Sequence, residues 1–195
     1  MIVDRAGELY KKILRSRKML SGQLTLSYLS HMPVSPVPYH FETTWQLEAP
    51  LHAVWDAIYD TDHWPQWWKG VLSVHRLQEG DAVGLHARNA YVLKSRMPYA
   101  LRFNLELEEK EPYRLLRCKA TGELVGEGIF HISEQAGAVT VQYNWNVYTQ
   151  KAWMNILAPI ARPFFHANHR QVMRWGAEGL ARRLNARLLR FTSLP

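Results

Sequence analysis

Helical periodicity marks the C-terminal part of the chain, between residues 152 and 190. Apolar positions return there at helical spacing and form one stripe, while the arginines lie largely off it. The stripe consists of Ile156, Ile160, Phe164 or Phe165, His169, Val172 or Met173, Gly176 and Leu180. Pro159 and Pro163 lie near its start, and proline is tolerated in the first turn of a helix but not in its interior. The pattern predicts a short first segment, a bend, and one long helix that begins at about Pro163.

Between residues 41 and 150 the pattern changes to an alternation of apolar and polar residues, which predicts β-strands. From position 99 to position 109, for example, leucines and Phe103 alternate with charged or polar residues. The predicted strands cover residues 41–48, 71–77, 83–93, 99–109, 113–121, 123–133 and 139–149. Short loops join most of them, so we expect an antiparallel sheet of about seven strands.

Two short helices are expected between the first and second strands. Residues 51–59 place Val54, Trp55 and Ile58 on one helical side, after Ala49-Pro50 ends the strand. A segment with three tryptophans within five positions follows, Asp62-His63-Trp64-Pro65-Gln66-Trp67-Trp68. Because aromatic residues concentrate in cores and pockets, we interpret this segment as a helical turn that caps one end of the sheet. Its rings would be shared between the core and the rim of a pocket.

Together these elements predict an α+β fold in which the sheet curves around the long C-terminal helix. Bulky residues share one face of the last strand, namely Val139, Val141, Tyr143, Trp145 and Val147. In the preceding strand, Gly126 and Gly128 remove side chains from the face that also carries Phe130. Missing side chains beside bulky aromatic residues leave room for a cavity under the helix, or else mark a bulge and a close backbone approach.

The first 38 residues differ from the rest, and we interpret them as a basic extension with a proline-containing linker. Residues 5–20 can form a basic amphipathic helix, and the prolines at 33, 36 and 38 exclude regular structure. Asp4 and Glu8 argue against an organellar transit peptide. An alternative is that Met32 is the true initiator. The folded domain is expected to cover residues 39–190.

The net charge of +7 comes from the two ends of the chain. Residues 1–31 carry +4, residues 32–151 carry −3 and residues 152–195 carry +6. Basic and aromatic residues are not interleaved as they are on a nucleic-acid-binding surface, so we expect no nucleic-acid partner. Solvated helix faces account for the arginines. Weak contact with an anionic membrane surface through the basic ends is the alternative.

Composition indicates a globular protein of a reducing compartment. The single cysteine, Cys118, allows no intrachain disulfide, and it lies in an apolar-alternating segment that indicates inert core. No apolar run approaches the roughly 20 residues of a membrane span, and the N-terminus lacks an apolar core of the secretory type. We therefore expect a cytoplasmic protein.

The order of elements and several local motifs resemble the helix-grip fold of the START-related (SRPBCC) superfamily. The motifs are Ala49-Pro50, Val54-Trp55-Asp56-Ala57, His63-Trp64-Pro65-Gln66-Trp67-Trp68, Thr121-Gly122-Glu123-Leu124-Val125-Gly126-Glu127-Gly128 and Met173-Arg174-Trp175-Gly176. Over about residues 39–185 the sequence is most similar to the bacterial branch labelled polyketide cyclase/dehydrase or lipid transport. The resemblance implies a deep, mostly apolar cavity between the concave sheet and the last helix.

Catalytic signatures are scarce. His166 and His169 are three positions apart on the helix, but no carboxylate or thiol lies at ligand spacing near them, so we expect no metal. The sequence has no glycine-rich phosphate loop and no nucleophile elbow. An aldol-type cyclisation needs a base and a donor that stabilises the enolate. Residues that could supply these groups if they point inward are Glu127, Arg88, His86, His131, Tyr143 and His169.

The function that these patterns favour is the binding of a hydrophobic or aromatic small molecule, lipid- or polyketide-like, without a cofactor. The predicted ligand-binding residues are Trp67, Trp68, Arg88, Tyr91, Phe103, Tyr143, Trp145, Phe165, His169 and Met173. One alternative is a polyketide cyclase or dehydratase that uses acid–base residues of the pocket. Another is a peripheral membrane or partner-docking module. The sequence leaves the catalytic residues, the ligand and the oligomeric state open.

Overall fold

The computed structural model describes residues 38–96, 99–150 and 152–195, with side chains from residue 162 onward in the last of these ranges. The amphipathic helix predicted over residues 5–20 and the prolines at positions 33 and 36 lie outside the described residues. Pro38, which we assigned to the linker, is the first residue of a strand. A proline is tolerated at that position because its missing N–H is not needed in the ladder.

The described residues form one antiparallel sheet of eight strands. The strands are β1 (Pro38–Glu48), β2 (Val71–Gln78), β3 (Arg88–Lys94), β4 (Ala100–Glu111), β5 (Leu115–Gly122), β6 (Leu124–Gln135), β7 (Ala138–Thr149) and β8 (Arg187–Leu194). Their spatial order is β2-β3-β4-β5-β6-β7-β1-β8. The seven strands predicted from alternation are all present, and β8 is added at the edge of β1. The α+β helix-grip fold is therefore confirmed.

In the described part of the chain, three α-helices accompany the sheet: α1 (Leu51–Tyr59), α2 (Trp64–Trp67) and α3 (Ala152–Arg183). The side of α1 that faces the core carries Val54, Trp55 and Ile58, as the spacing predicted, together with Ala57. A short 3-10 turn at Thr61–His63 leads into α2. The indole N–H of Trp64 donates to the carbonyl oxygen of Ile58 at 3.1 Å, which ties α2 to α1.

The C-terminal helix is a single element that contains both prolines, so the division into a short segment and a longer helix from Pro163 was wrong. Its end was also predicted too late. Asn185 has a φ of +49°, and the N–H groups of Asn185 and Ala186 bond to the carbonyls of Arg182 and Ala181. This pattern is the Schellman ending, in which asparagine can replace glycine. The chain then reverses into β8, which pairs with β1.

The strand predicted over residues 83–93 begins only at Arg88. Before it the chain turns, because the Asp81 carboxylate accepts hydrogen bonds from the backbone N–H groups of Val83 and Leu85 at 3.0 and 2.9 Å. His86 then adopts a φ of +64°, outside the β region. Alternation alone did not show this turn. A turn held by an aspartate side chain can carry apolar residues such as Val83 and Leu85, and these continue the pattern of the strand.

Helices α2 and α3 touch through glycines. A Cβ at Gly176 would lie 2.5 Å from the Trp68 indole, and a Cβ at Gly179 would collide with the Trp67 carbonyl oxygen. The Trp68 indole N–H donates to the Val172 carbonyl oxygen at 2.8 Å. The glycines thus let the tryptophan segment lie directly on the helix. Within the described part of the chain, no helix has the length and apolar character needed to cross a bilayer.

Candidate ligand-binding site

A cavity of about 140 Å³ lies between the concave face of the sheet and the middle of α3. Its wall is mostly apolar, because alternate residues of the strands point inward under the helix. The part of the wall that the sequence predicted consists of Trp68, Tyr91, Phe103, Tyr143, Trp145, Phe165, His169 and Met173. These eight residues, distant in sequence, are brought together by the curvature of the sheet and the position of α3.

Aromatic rings form the floor of the cavity on β6 and β7. The rings of Phe130 and Tyr143 stack with centroids 4.1 Å apart, and Tyr143 stacks on Trp145 at 5.7 Å. Both β7 side chains lie close to Gly128, where a Cβ would be 2.6 Å from the Tyr143 hydroxyl and 2.7 Å from the Trp145 ring. Gly128 therefore makes room for rings, and these rings form the cavity floor.

Gly126 has a different role from Gly128, although the sequence analysis interpreted the two glycines together as the sign of a cavity. Its φ is +148°, and a Cβ there would collide with the carbonyl oxygen of Asn146 on the neighbouring strand. The glycine thus permits a close approach of two backbones, which was the second reading of this pair.

Trp67 and Arg88 lie outside the cavity wall. Trp67 is buried, but it packs in the contact between α2 and α3. Arg88 is exposed at the start of β3, where Asn89 and Tyr91 take the buried positions of the alternation. Successive side chains of a strand point to opposite faces, so Arg88 points away from the face that Asn89 and Tyr91 share.

Four of the six candidates for acid–base chemistry also lie away from the cavity. Glu127 accepts a hydrogen bond from the Arg117 guanidinium at 3.1 Å, and His86 lies 3.4 Å from the Glu106 carboxylate. His131 and Arg88 are exposed. Tyr143 and His169 are the two candidates in the wall.

His169 is the polar side chain of the wall with the most unusual surroundings. Its ring stacks on that of Phe41, and neither ring nitrogen has a hydrogen-bond partner in the described structure. Burial, together with the nearby His166, lowers the pKa of His169 to about 3. The imidazole is therefore neutral at physiological pH. Burial also raises the pKa of the Tyr143 hydroxyl well above its ordinary value, so that this group is a hydrogen-bond donor.

Metal-binding groups do not gather at this site. Among the described side chains, no three histidine, cysteine or acidic residues lie close enough together to hold a metal ion. Cys118 is half-buried beside the core, and burial raises the pKa of its thiol to about 12. A thiol of that pKa is a poor nucleophile at neutral pH.

Sequence reasoning missed several residues of the wall, among them Tyr39, Phe41, Trp64, Phe130 and Asn168. Phe41 and Phe130 belong to alternating strands and Trp64 to the tryptophan segment, so their burial was foreseeable. Their place in the cavity was not, because core and pocket residues have the same inward orientation. Asn168 precedes His169 on the helix. Its polar side chain was the feature of the sequence that could have indicated a polar part of the wall beside that histidine.

The arginines of the C-terminal part are exposed on α3 and β8, as expected for solvated faces. Arg182, Arg183 and Arg190 are exposed, and Arg187 pairs with the Glu48 carboxylate at 3.0 Å. Arg174 lies over the ring of Phe191 at 4.7 Å from its centroid, which joins α3 to β8.

Comparison with known proteins gives one family. A family model described as "Polyketide cyclase / dehydrase and lipid transport" matches residues 38–188. No protein with a curated description matches the sequence.

Solved structures with the same fold are similar to this chain at low sequence identity. The Zhui aromatase/cyclase from Streptomyces sp. R1128 has a TM-score of 0.63 and 12% identity, over 76% of this chain and 94% of that one. A START superfamily protein from Mycobacterium smegmatis has a TM-score of 0.61 and 13% identity, over 75% and 98%. The di-domain aromatase/cyclase BexL from the BE-7585A biosynthetic pathway has a TM-score of 0.61 and 17% identity. The match covers 95% of this chain and 60% of that one. At these identities the likeness shows the fold alone.

Proposed function

Because the chain belongs to the polyketide cyclase/dehydrase and lipid transport family, we propose that it binds an apolar small molecule, lipid- or polyketide-like, in the cavity under α3. The observation that carries this proposal is the cavity wall. It is built from aromatic and aliphatic side chains of β1, β2, β3, β4, β6, β7, α2 and α3. Apolar walls with a few polar groups are typical of small-molecule sites.

The volume of the cavity limits the part of a ligand that it can enclose. An engineered apolar cavity of about 150 Å³ binds benzene in another protein, and the present cavity has about 140 Å³. It therefore fits a single aromatic ring or a short acyl segment. A larger ligand would extend beyond this volume or move the wall outward. Tyr91, Phe103, Tyr143 and Trp145 offer faces and edges for ring contacts.

His169 orients the ligand in this proposal. A buried polar group without a hydrogen bond costs about 1–3 kcal/mol, and both ring nitrogens of His169 lack a partner among the described residues. A ligand hydroxyl or carbonyl that bonds to the imidazole would remove this cost. Ligands with one polar group on an apolar body are therefore expected to bind more tightly than pure hydrocarbons.

Catalysis of cyclisation or dehydration is the second candidate. Two observations support it: aromatase/cyclases share the fold, and Tyr143 and His169, a donor and an imidazole, both line the cavity. An imidazole whose pKa is about 3 is, however, a weak base for removing a proton next to a carbonyl. The arrangement therefore favours binding over proton abstraction.

Native mass spectrometry of the purified full chain, followed by solvent extraction, tests the binding proposal. Titrations with fatty acids and with anthraquinones give the affinities, and the quenching of tryptophan fluorescence is the signal that is measured. Leu93→Trp places a bulky side chain in the wall and should lower affinity at least tenfold. Leu72→Trp, on the exposed part of β2, is the matched control and should bind as the wild type does.

Equal affinities of the two tryptophan variants, or no binding to any compound of the panel, would refute a ligand role for this cavity. The cyclase candidate is tested on any ligand that binds, by following product formation. If turnover is found and His169→Leu abolishes it while binding remains, His169 takes part in the chemistry. If turnover survives that substitution, the histidine only positions the ligand.

A further inference from the structure

A second chamber lies beyond the floor of the first cavity, under the α1–α2 segment and the turn before β3. It encloses about 410 Å³, within the usual range of small-molecule sites. Five residues line both spaces and lie between them: Trp64, Tyr91, Leu105, Phe130 and Tyr143. The centroid of the Trp64 ring lies 5.8 Å from that of Tyr91 and 6.3 Å from that of Phe130. Phe130 in turn stacks on Tyr143. These rings form a partition.

The second chamber differs from the first in its polar groups. Asn89 is 7% exposed and lines only this chamber. Its amide N–H donates to the Thr61 hydroxyl at 2.8 Å, which holds the side chain in place. The amide oxygen at the other end has no hydrogen-bond partner in the described structure. Tyr91, the next buried position of β3, also lines this chamber.

The rest of the chamber wall indicates a neutral ligand. Leucines of β4 and β5 and the ring of Phe130 provide apolar surface. At the rim, Arg76 is already engaged by the carboxylates of Asp62 and Glu79, at 3.0 Å each. The other acidic side chains of the wall are also engaged, Asp60 by His63 at 2.6 Å and Asp81 by two backbone N–H groups. A charged ligand would therefore lose its hydration without gaining a free counter-charge. The unpartnered amide oxygen of Asn89 is a hydrogen-bond acceptor. A ligand hydroxyl is a neutral group that can donate to this oxygen and also accept a hydrogen bond from the hydroxyl of Tyr91.

We propose that this second chamber is a separate binding site for a neutral, ring-containing small molecule that donates a hydroxyl group to the Asn89 amide oxygen. The proposal does not depend on the occupant of the first cavity. The probes are 2-naphthol and 2-methoxynaphthalene, which share the ring system and the oxygen. In the second compound a methyl group replaces the hydroxyl hydrogen, so it cannot donate a hydrogen bond. Leaving the buried acceptor unsatisfied should cost at least tenfold in affinity, so calorimetric titration of the full chain should favour 2-naphthol by that factor.

Three variants locate the site. Asn89→Leu removes the acceptor, and Ala87→Phe fills the chamber from a neighbouring position of its wall. Each should lower the affinity for 2-naphthol at least tenfold. Leu93→Trp obstructs only the first cavity and should leave the affinity for 2-naphthol unchanged. Because Ala87→Phe leaves the Asn89–Thr61 hydrogen bond in place, it keeps the test valid if Asn89→Leu folds poorly.

Cys118 provides an independent readout, since the single thiol of the chain lines this chamber and not the first cavity. Because this thiol is a poor nucleophile, its modification is followed over hours with methyl methanethiosulfonate in large excess, and saturating 2-naphthol should slow it at least tenfold. Equal affinity for the two probes, loss of 2-naphthol binding in Leu93→Trp, or an unprotected Cys118 would each overturn the proposal. None of these results would affect fatty-acid or anthraquinone binding in the first cavity, so the two proposals fail separately.

Discussion

The imidazole of His169 on α3 lies nearly parallel to the phenyl ring of Phe41 on β1, with centroids 3.9 Å apart and planes inclined by 15°. This contact joins the helix to the strand at the wall of the first cavity. A neutral imidazole stacks here as a flat apolar group, whereas a protonated one would bring an unpaired charge into the same position. The contact therefore links the protonation of His169 to the attachment of α3 to the sheet.

Acid should destabilise the protein through His169. The pKa of this histidine is about 3 in the folded state and about 6.5 in an unfolded chain. Between these values the unfolded state binds the additional proton, so folding stability is fully present above about pH 6.5 and is lost as the pH falls towards 3. The slope should approach 1.4 kcal/mol per pH unit. Urea denaturation at pH 7, 6, 5 and 4 measures it.

The variant His169→Phe isolates this contribution from the carboxylates that also titrate in acid. It keeps a flat ring against Phe41 but takes up no proton, so its stability should depend less on pH than that of the wild type. His52→Phe, at an exposed position of α1, should behave as the wild type does. A slope that is unchanged in His169→Phe would show that His169 is not the group responsible.

Gly179→Ala should destabilise the protein although alanine favours helices by about 1 kcal/mol over glycine. The added Cβ would meet the Trp67 carbonyl oxygen, a backbone atom that cannot move without shifting α2. We expect a loss of about 1–3 kcal/mol in the free energy of unfolding. Chemical denaturation measures it, and Ala167→Gly, on the exposed side of α3, calibrates the helix propensity. A gain in stability for Gly179→Ala would contradict the close contact of α2 and α3.

Gly128→Ala should weaken ligand binding in the first cavity. Its methyl group would occupy the space that the Tyr143 hydroxyl and the Trp145 ring now fill, and both rings would be displaced upward. The cavity floor would then rise into a volume of only about 140 Å³. A tenfold or larger loss of affinity is expected in the fluorescence titration, with Ser133→Ala on the exposed part of β6 as control. Retained affinity would mean that the rings do not define the floor.

The ending of α3 should depend on Asn185. At a φ of +49°, asparagine is one of the few residues other than glycine that fit without large strain. We expect Asn185→Val to lower the free energy of unfolding by about 1–2 kcal/mol, and Asn185→Gly to maintain or raise it. Thermal and urea unfolding of the two variants measure this order. The reverse order would contradict the Schellman ending and the reversal into β8.

The fold was largely predictable because its signals are local. Alternation marks a strand wherever one face is buried, and the stripe from Phe165 to Leu180 marks a helix by the same logic. Gly176 belongs to that stripe, but the stripe does not show which residue packs against it. Trp68 is that partner, 108 positions away. Local pattern thus determines which face of an element is buried but not what covers it.

Two local signals were present and were misread. Asn185 marks the end of α3, yet the arginines around it continue a helical pattern, so that β8 was read as helix. Asp81 marks the turn before β3, so the strand begins at Arg88 and not at Val83. In both cases one residue that bonds to or relaxes the backbone outweighs the periodicity of its neighbours.

By itself, the sequence determined the α+β class, seven of the eight strands, the long C-terminal helix and most of the aromatic residues that meet beneath it. These follow from periodicity and turn chemistry, which act over a few residues. Only the tertiary structure decided that Trp67 is packing while Trp64 and Phe41 line a cavity. It also decided that Asn89, whose amide oxygen has no partner among the described residues, lines a second chamber. The physical reason is that a pocket is the space left after distant elements have packed, and no single segment contains it.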